Sequence, residues 1–210
     1  MQLVALADSN LREELLSFQT FPDLQILWIE NFEDFSQHPG ADAFMDLLFE
    51  YESRRLIVLE SLLPKPVIVN SVVHALKDSG KQFVRINGWP GFLKRPVVEA
   101  SCNNQEIRAK AERIFSFLSR KTEWVNSEPG FVTARIISMI INEAYFALEE
   151  GVSTKEEIDT AMKLGTNYPY GPFEWASRIG KRKIYLLLQE LSLINSRYDP
   201  AGTLQTEATN

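Results

Sequence analysis

The sequence predicts an α/β domain with a parallel sheet, followed by an all-α helical domain. Short apolar segments alternate with helical patterns as far as about residue 125, which is typical of a doubly wound parallel sheet. Pro129 and Gly130 then break the chain, and no strand pattern follows them. A hydrophobic content of 45% in 210 residues is enough for a normal core. We therefore predict domains at 1–126 and 127–194, with a polar tail at 195–210 that frays.

The elements of the first domain are predicted from apolar runs bounded by turn residues. Asp8 offers an N-cap for the first helix, and Pro22 ends that helix. Pro64 and Pro66 separate the third apolar run from the fourth. The predicted strands cover 3–7, 24–29, 55–59, 67–69, 83–86, 96–100 and 122–125, and the predicted helices cover 11–18, 42–51, 71–79 and 104–119.

The second domain is predicted to be built around one long helix. Residues 131–149 are apolar on nearly every face, which indicates a helix that is covered on several sides. Gly151 can end this helix in a left-handed conformation. Ser153 with Glu156 fits a capping box that begins a helix over 154–164. Further helices are predicted over 173–179 and 181–193.

The segment GVSTKEEIDTAMKLGTNYPYGPFEWASRIG resembles the C-terminal domain of the 3-hydroxyacyl-CoA dehydrogenases. Pro129-Gly130-Phe131 matches the start of that domain, and the resemblance is clear over 65–193. It implies a Rossmann-like NAD-binding domain before the helical domain, and subunits that pair through the helical domain. The motif residues are Asp159, Ala161, Met162, Gly165, Pro169, Gly171, Pro172, Phe173 and Glu174.

Charge and composition exclude several classes of partner. The net charge of −6 argues against nucleic acid, because phosphate contacts require a basic surface. No apolar run reaches membrane-spanning length, and no basic region precedes the apolar N-terminal residues as in a signal peptide. The lone Cys102 fits a reducing cytoplasm, and no Cys/His cluster suggests a metal.

The glycine-rich turn of a dinucleotide site is missing. Such a site needs glycines between the first strand and the first helix, where the backbone approaches the pyrophosphate. No glycine precedes Gly40, and Asp8 would place a negative charge where the diphosphate should lie. The simpler interpretation is that Asp8 or Ser9 caps a helix. We therefore expect no NAD cofactor, although the family uses one.

The family resemblance also locates the catalytic positions. In the family, a histidine oriented by a glutamate takes the hydroxyl proton, while a serine and an asparagine bind the substrate oxygen. Glu99 matches the glutamate, and Asn87 stands twelve residues earlier at the histidine position. Val72 stands at the serine position and Ala134 at the asparagine position. An amide side chain is no base near neutral pH, and the two apolar side chains offer no hydrogen bond.

Other polar residues nearby are candidates for a cleft. Asn70 is retained from the family pattern, and Ser71 lies one place from the serine position. His74 follows on the same predicted helix, where a lone histidine is more often structural than catalytic.

Three functional hypotheses remain open. The chain is a 3-hydroxyacyl-CoA dehydrogenase-like protein that has lost normal activity, an active NAD-dependent oxidoreductase that uses other groups, or a dimeric interaction module. The first hypothesis retains a site for acyl-CoA or another small molecule. The long helix has more apolar surface than one small domain can cover, so we expect a homodimer. A tail folded over that helix would instead keep the chain monomeric. The candidate dimer contacts are Ile137, Ile140, Ile141 and Phe146.

Overall fold

A computed structural model describes residues 1–76 and 82–209. The chain divides into two compact units, Met1–Phe131 and Val132–Asn210. The division lies five residues after the boundary expected from the sequence, because the turn at Gly130 still bonds within the first unit: its N–H donates to the Val72 carbonyl over 2.8 Å.

The first unit contains a seven-stranded sheet with helices between the strands. Its strand order is β2-β1-β3-β4-β5-β6-β7, and every neighbouring pair is parallel except β5 with β6. The predicted α/β class is therefore confirmed, and the sheet is parallel as predicted except for this one pair. The strands are β1 (Gln2–Leu6), β2 (Gln25–Ile29), β3 (Ala43–Asp46), β4 (Val67–Asn70), β5 (Val84–Ile86), β6 (Val97–Ser101) and β7 (Lys121–Trp124).

The helices of this unit are α1 (Ser9–Leu15), α2 (Ser53–Glu60) and α3 (Gln105–Phe117), with a 3₁₀ helix at Phe32–Gln37. Alternate residues of the central strands pack into two separate apolar clusters, one on each face of the sheet. Leu3 and Met45 belong to the cluster that includes α1 and α3, whereas Val4 and Phe44 belong to the cluster that includes α2. This burial on both faces is what a doubly wound parallel sheet requires.

Two predicted elements of the first unit are wrong in type. The predicted helix over 42–51 contains the strand β3, whose four residues are all buried between the two layers. The predicted strand over 55–59 lies in α2, where Arg55, Leu56 and Leu59 form one buried stripe at helical spacing. A short apolar run does not distinguish a buried strand from a helix, which explains both errors.

The predicted helix over 71–79 is also not found where the structure describes it. Residues 71–76 form bends and irregular backbone, and residues 77–81 lie outside the described residues. Leu76 takes a positive φ of 53°, which is incompatible with a continuing right-handed helix.

The second unit is helical throughout. It contains α4 (Thr133–Glu149), α5 (Lys155–Thr166), α6 (Pro172–Ile179), α7 (Lys181–Ser192) and α8 (Gly202–Thr209), with a 3₁₀ helix at Ser196–Tyr198. The capping box that begins α5 pairs Thr154 with Glu157, one residue later than expected from Ser153 and Glu156. None of the helices in 1–76 and 82–209 has the length and apolar character needed to cross a membrane.

The tail does not fray as predicted but folds back onto α4. Asn142 of α4 donates to the Asp199 carbonyl and accepts from the Ala201 N–H, both over 2.9 Å. Glu207 of α8 accepts hydrogen bonds from Tyr145, Lys155 and Lys181, over 2.5 to 2.9 Å. Burial raises the pKa of Glu207, but these donors lower it more strongly, to about 2. The composition of the tail is polar, yet it is ordered because α4 presents buried polar partners to it.

Candidate functional site

The candidate site lies where β4 and β5 end. Asn70 is the last residue of β4, and Asn87 directly follows β5. In open α/β sheets, ligands bind beyond the carboxyl ends of the parallel strands. Because β6 runs antiparallel to β5 and pairs Ile86 with Ala100, it brings Glu99 beside Asn87. The Asn87 N–H donates to the Glu99 carbonyl over 3.1 Å.

The Asn87 amide is hydrogen-bonded to the carboxylate of Glu99. Its Nδ2 lies 3.1 Å from Glu99 Oε2, and the Asn87 residue is 3% exposed. The Trp89 N–H lies 3.4 Å from Asn87 Oδ1 on the other side of the amide. A neutral amide can hold a carboxylate in place, but it cannot accept a proton near neutral pH. The pair is therefore a fixed polar contact in which the Asn87 side chain cannot act as a base.

Asn70 holds the loop that carries Asn87. Its Oδ1 accepts from the Gly88 N–H over 2.9 Å, while its Nδ2 donates to the carbonyls of Gly88 and Leu47 over 3.0 and 3.1 Å. A Cβ on Gly88 would lie 2.9 Å from Asn70 Cγ, so only glycine permits this approach. The side chain that the sequence offered as a cleft candidate thus bonds to the backbone, where it ties β3, β4 and the loop after β5 together.

Ser71, Val72 and His74 form a second group. The Ser71 hydroxyl donates to the His74 carbonyl over 2.9 Å and is buried. Val72 is also buried, and its carbonyl accepts from Gly130. The His74 ring lies 5.0 Å from the ring of Tyr51, centroid to centroid. In this arrangement the serine hydroxyl shapes the turn after β4.

Arg85 is a buried cation beneath this turn that the sequence analysis missed. Its Nε and Nη2 donate to the Ser71 carbonyl over 3.1 and 2.9 Å, and its Nη1 lies 3.1 Å from Ser127 Oγ. Burial lowers the pKa of Arg85 to about 10, and Glu128 opposes that fall, so the guanidinium stays charged at neutral pH. The sequence signal that could have indicated this residue is the single charged position within the apolar run of β5.

Two further buried side chains fix the loop beyond Asn87. The Gly91 N–H lies 2.7 and 2.9 Å from the two carboxylate oxygens of Glu14. Arg120 donates to the carbonyls of Leu93 and Glu14 over 2.6 to 3.0 Å. Burial lowers the pKa of Arg120 to about 10, against the opposing charge of Glu14. These contacts link α1 and the start of β7 to the loop, so the loop is held at both ends.

The turn between β1 and α1 does not suit a diphosphate. Asp8 Oδ1 accepts from the Leu11 N–H over 2.8 Å, so a carboxylate of the protein takes the amide that would otherwise face a phosphate. Helix α1 has only 7 residues. Arg12 donates to the Ala7 carbonyl and pairs with Glu30 over 2.9 Å. The residues present therefore do not fit the pyrophosphate of NAD.

A buried ion pair lies at the end of β3. Arg55 Nε and Nη2 each lie 2.7 Å from a carboxylate oxygen of Asp46, and both residues are buried. Burial raises the pKa of the Asp46 carboxyl, whereas the Arg55 guanidinium lowers it. The sheet reverses its winding between β1 and β3, which is the usual ligand crevice of such a sheet. Asp8 lies two residues after β1, and Asp46 is the last residue of β3. The carboxylates of both residues accept hydrogen bonds from other groups of the protein.

Four of the motif residues of the second unit, Asp159, Gly171, Phe173 and Glu174, form a helix cap. Asp159 of α5 accepts from the N–H groups of Phe173 and Glu174 at the start of α6, over 2.8 and 3.1 Å. A Cβ on Gly171 would lie 2.3 Å from Asp159 Oδ1, so the glycine makes this approach possible. Ala134 is buried in α4 of the same unit, where its methyl group offers no hydrogen bond.

The first unit has a Rossmann-like α/β fold, and the second unit is a separate helical domain. The solved (S)-3-hydroxybutyryl-CoA dehydrogenase of Ralstonia eutropha matches with a TM-score of 0.73 and 18% identity, over 98% of this chain and 92% of that one. At this identity the match concerns the fold alone. The 3-hydroxybutyryl-CoA dehydrogenase structure from Escherichia coli K12 matches with a TM-score of 0.58 and 31% identity, over 68% of this chain and 31% of that one.

Sequence comparisons show which proteins the chain is similar to. Residues 130–206 match the model of the 3-hydroxyacyl-CoA dehydrogenase C-terminal domain. The chain is 45% identical to the 3-hydroxyadipyl-CoA dehydrogenase of Escherichia coli K12 over 114 residues, which is 53% of this chain and 24% of that protein. It is 48% identical to human mitochondrial hydroxyacyl-coenzyme A dehydrogenase over 140 residues, 65% of this chain and 44% of that protein. The second unit is thus similar to the C-terminal domain of the 3-hydroxyacyl-CoA dehydrogenases, and the matches span less than half the length of these two curated relatives.

Replacing Asp159 tests the cap in the signature segment. We expect Asp159→Ala to lower the free energy of unfolding by about 2 kcal/mol, because two buried N–H groups lose a charged acceptor. Asp159→Asn keeps one acceptor oxygen and should cost less. Urea denaturation followed by circular dichroism measures both changes.

The neighbouring exposed Thr160 provides the control, since Thr160→Ala should change the free energy of unfolding by less than about 0.5 kcal/mol. Equal stabilities of the Asp159→Ala and Thr160→Ala variants would show that the cap contributes nothing to folding.

Proposed function

We propose that this chain is a 3-hydroxyacyl-CoA dehydrogenase-like protein that does not carry out NAD-dependent oxidation of 3-hydroxyacyl-CoA. The observation that carries the proposal is the hydrogen bond from the Asn87 amide to Glu99. The family resemblance assigns these two positions to the catalytic base and the carboxylate that orients it. Asparagine preserves the contact and removes the base.

The altered oxygen-binding positions support the same proposal. Oxidation of a hydroxyl group requires a base for its proton and donors that hold its oxygen. Val72 and Ala134 stand where the family has a serine and an asparagine, and both are buried apolar side chains. Ser71 does not replace the serine, because its hydroxyl donates to the His74 carbonyl.

The turn between β1 and α1, where the family's cofactor is expected, supports the proposed loss of activity independently. NAD would place a diphosphate at the start of α1, where the Asp8 carboxylate already accepts the Leu11 N–H. A second negative group there would be repelled by Asp8, and no glycine allows a closer backbone approach. We therefore propose that no NAD is bound in the manner of the family.

The polar residues around Asn87 are compatible with a binding function. Relatives are named for hydroxyacyl-CoA substrates, and we propose that acyl-CoA or another small molecule remains a ligand of this chain. We further propose the cytoplasm as its location, which the single buried thiol of Cys102 supports because no disulfide is needed.

We also propose that the chain forms a homodimer through its second unit. Helix α5 buries only Asp159 among its residues, and Leu164 is 83% exposed. Ile136 of α4 is 54% exposed, while the tail covers the α4 face of Asn142 and Tyr145. Ile141 is fully buried within one chain, so it is withdrawn as a dimer contact. Exposed apolar surface on two helices favours an interface.

A direct assay tests the loss of catalysis. The assay uses 3-hydroxybutyryl-CoA and NAD, with a 3-hydroxybutyryl-CoA dehydrogenase measured in parallel. We expect the rate of NADH formation to be about 10²-fold to 10⁴-fold below that of the dehydrogenase, because the histidine base is missing. Asn87→His alone should not restore activity, since the cofactor turn is also altered.

Ordinary turnover that Glu99→Gln abolishes would refute the proposal and support an active oxidoreductase that uses other groups. Restoration by Asn87→His alone would refute the cofactor part of it, because it would require a working NAD site.

Light scattering tests the dimer. At micromolar concentration we expect twice the 24.0 kDa mass of one chain. Ile136→Glu should give a monomer that stays folded, because this side chain is already half-exposed in the single chain and the charge would be buried only in the dimer.

Ile57 of α2 offers a matched control in the first unit, since it is 68% exposed. The Ile57→Glu variant should remain dimeric. A wild-type mass near 24.0 kDa would mean instead that the folded tail leaves the chain monomeric.

A further inference from the structure

A pocket lies at the opposite end of the sheet from Asn87. It is located near the amino ends of β3 and β4, between the 3₁₀ helix at Phe32–Gln37 and the turn that joins α2 to β4. Its volume is about 240 Å³, and it opens to solvent. The residues that form it include Pro39, Phe44, Leu62, Leu63, Pro64 and Lys65.

The lining of this pocket combines an apolar floor with one positive charge. Phe44 and Leu62 are buried in the apolar cluster on the α2 face of the sheet. Lys65 is the only charged residue of the lining within the part of the chain that the structure describes, and its Nζ lies 6.0 Å from the centre of the Phe44 ring. The Ser36 and Ser61 hydroxyls donate to backbone carbonyls and keep lone pairs that can accept hydrogen bonds.

The ammonium group of Lys65 is incompletely satisfied. It donates to the carbonyls of Pro39 and Ala41, the latter over 2.7 Å. An ammonium group has three N–H donors, and residues 1–76 and 82–209 provide neither a third acceptor nor a carboxylate for it. A half-buried cation without an opposite charge favours binding of an anion.

The size of the pocket limits the ligand. A volume of about 240 Å³ corresponds to about eight water molecules at about 30 Å³ each. Neither a dinucleotide nor an acyl-CoA fits such a space. A small inorganic anion is a poorer match, because it would leave the apolar lining of the pocket exposed to water.

We propose that this pocket binds a short amphipathic monocarboxylate, with its carboxylate on Lys65 and its apolar part against Leu63 and Pro64. A ligand of about eight non-hydrogen atoms, such as hexanoate, matches the volume. The site is separate from the candidate site around Asn87, so it does not depend on the function proposed for that site.

Calorimetric titration with sodium hexanoate tests the proposal, with hexanamide as the neutral ligand of the same shape. We expect one site with a dissociation constant of about 1 mM or tighter for hexanoate, and at least about tenfold weaker binding of hexanamide. Lys65→Met should weaken hexanoate binding by at least about tenfold, because it removes the charge and keeps the apolar stem.

A second variant protects the test against a folding defect, since Lys65 also holds two backbone carbonyls. Leu63→Trp should fill the pocket and block hexanoate while Lys65 remains in place. Lys94→Met removes an exposed lysine elsewhere and should leave the affinity unchanged, and circular dichroism checks that each variant is folded.

Equal affinities for hexanoate and hexanamide would contradict recognition of the carboxylate. Unchanged affinity in the folded Leu63→Trp protein, or no binding to the wild type at tens of millimolar, would overturn the proposal.

Discussion

The antiparallel pairing of β5 with β6 is the constraint on which the candidate site depends. Its register places Glu99 beside Asn87, and the double hydrogen bond between the Asn70 side chain and Gly88 holds that loop against β4. The close approach at Gly88 and the Glu14 contacts at Gly91 leave the loop little freedom. The geometry that orients a base is therefore present, while the side chain in the base position is an amide.

The second unit depends on polar contacts in the same way. Asp159 links α5 to the start of α6, and Glu207 links α8 to α4, α5 and α7. Among the residues that carry the family resemblance, Asp159 and Gly171 thus act through helix capping and close packing at the start of α6. A chain can keep these residues for structural reasons whatever its chemistry, so the match to the C-terminal domain is compatible with the loss of activity that we propose.

The sequence predicted the class of the fold and the long helices well, because their periodicity extends over many residues. It failed at β3 and α2, where short apolar runs are compatible with either element. The twelve-residue spacing related Asn87 to Glu99. The hydrogen bonds from the Asn70 side chain to Gly88 could not be predicted, because they depend on the register between the strands. Arg85 and Arg120 were missed because their partners are backbone carbonyls from distant segments, which leave no local pattern. The folded tail was only the alternative expectation, because Asn142 and Glu207 are polar residues whose partners come together only in the tertiary structure.

The Asp8 carboxylate occupies the start of α1, the position at which we propose that NAD binding is lost. The most direct measurement is a calorimetric titration of the full chain with NADH. The account predicts a dissociation constant no tighter than about 1 mM, because Asp8 repels the diphosphate and the turn after β1 contains no glycine. A micromolar dissociation constant would contradict the account, since it would require a diphosphate site in spite of Asp8.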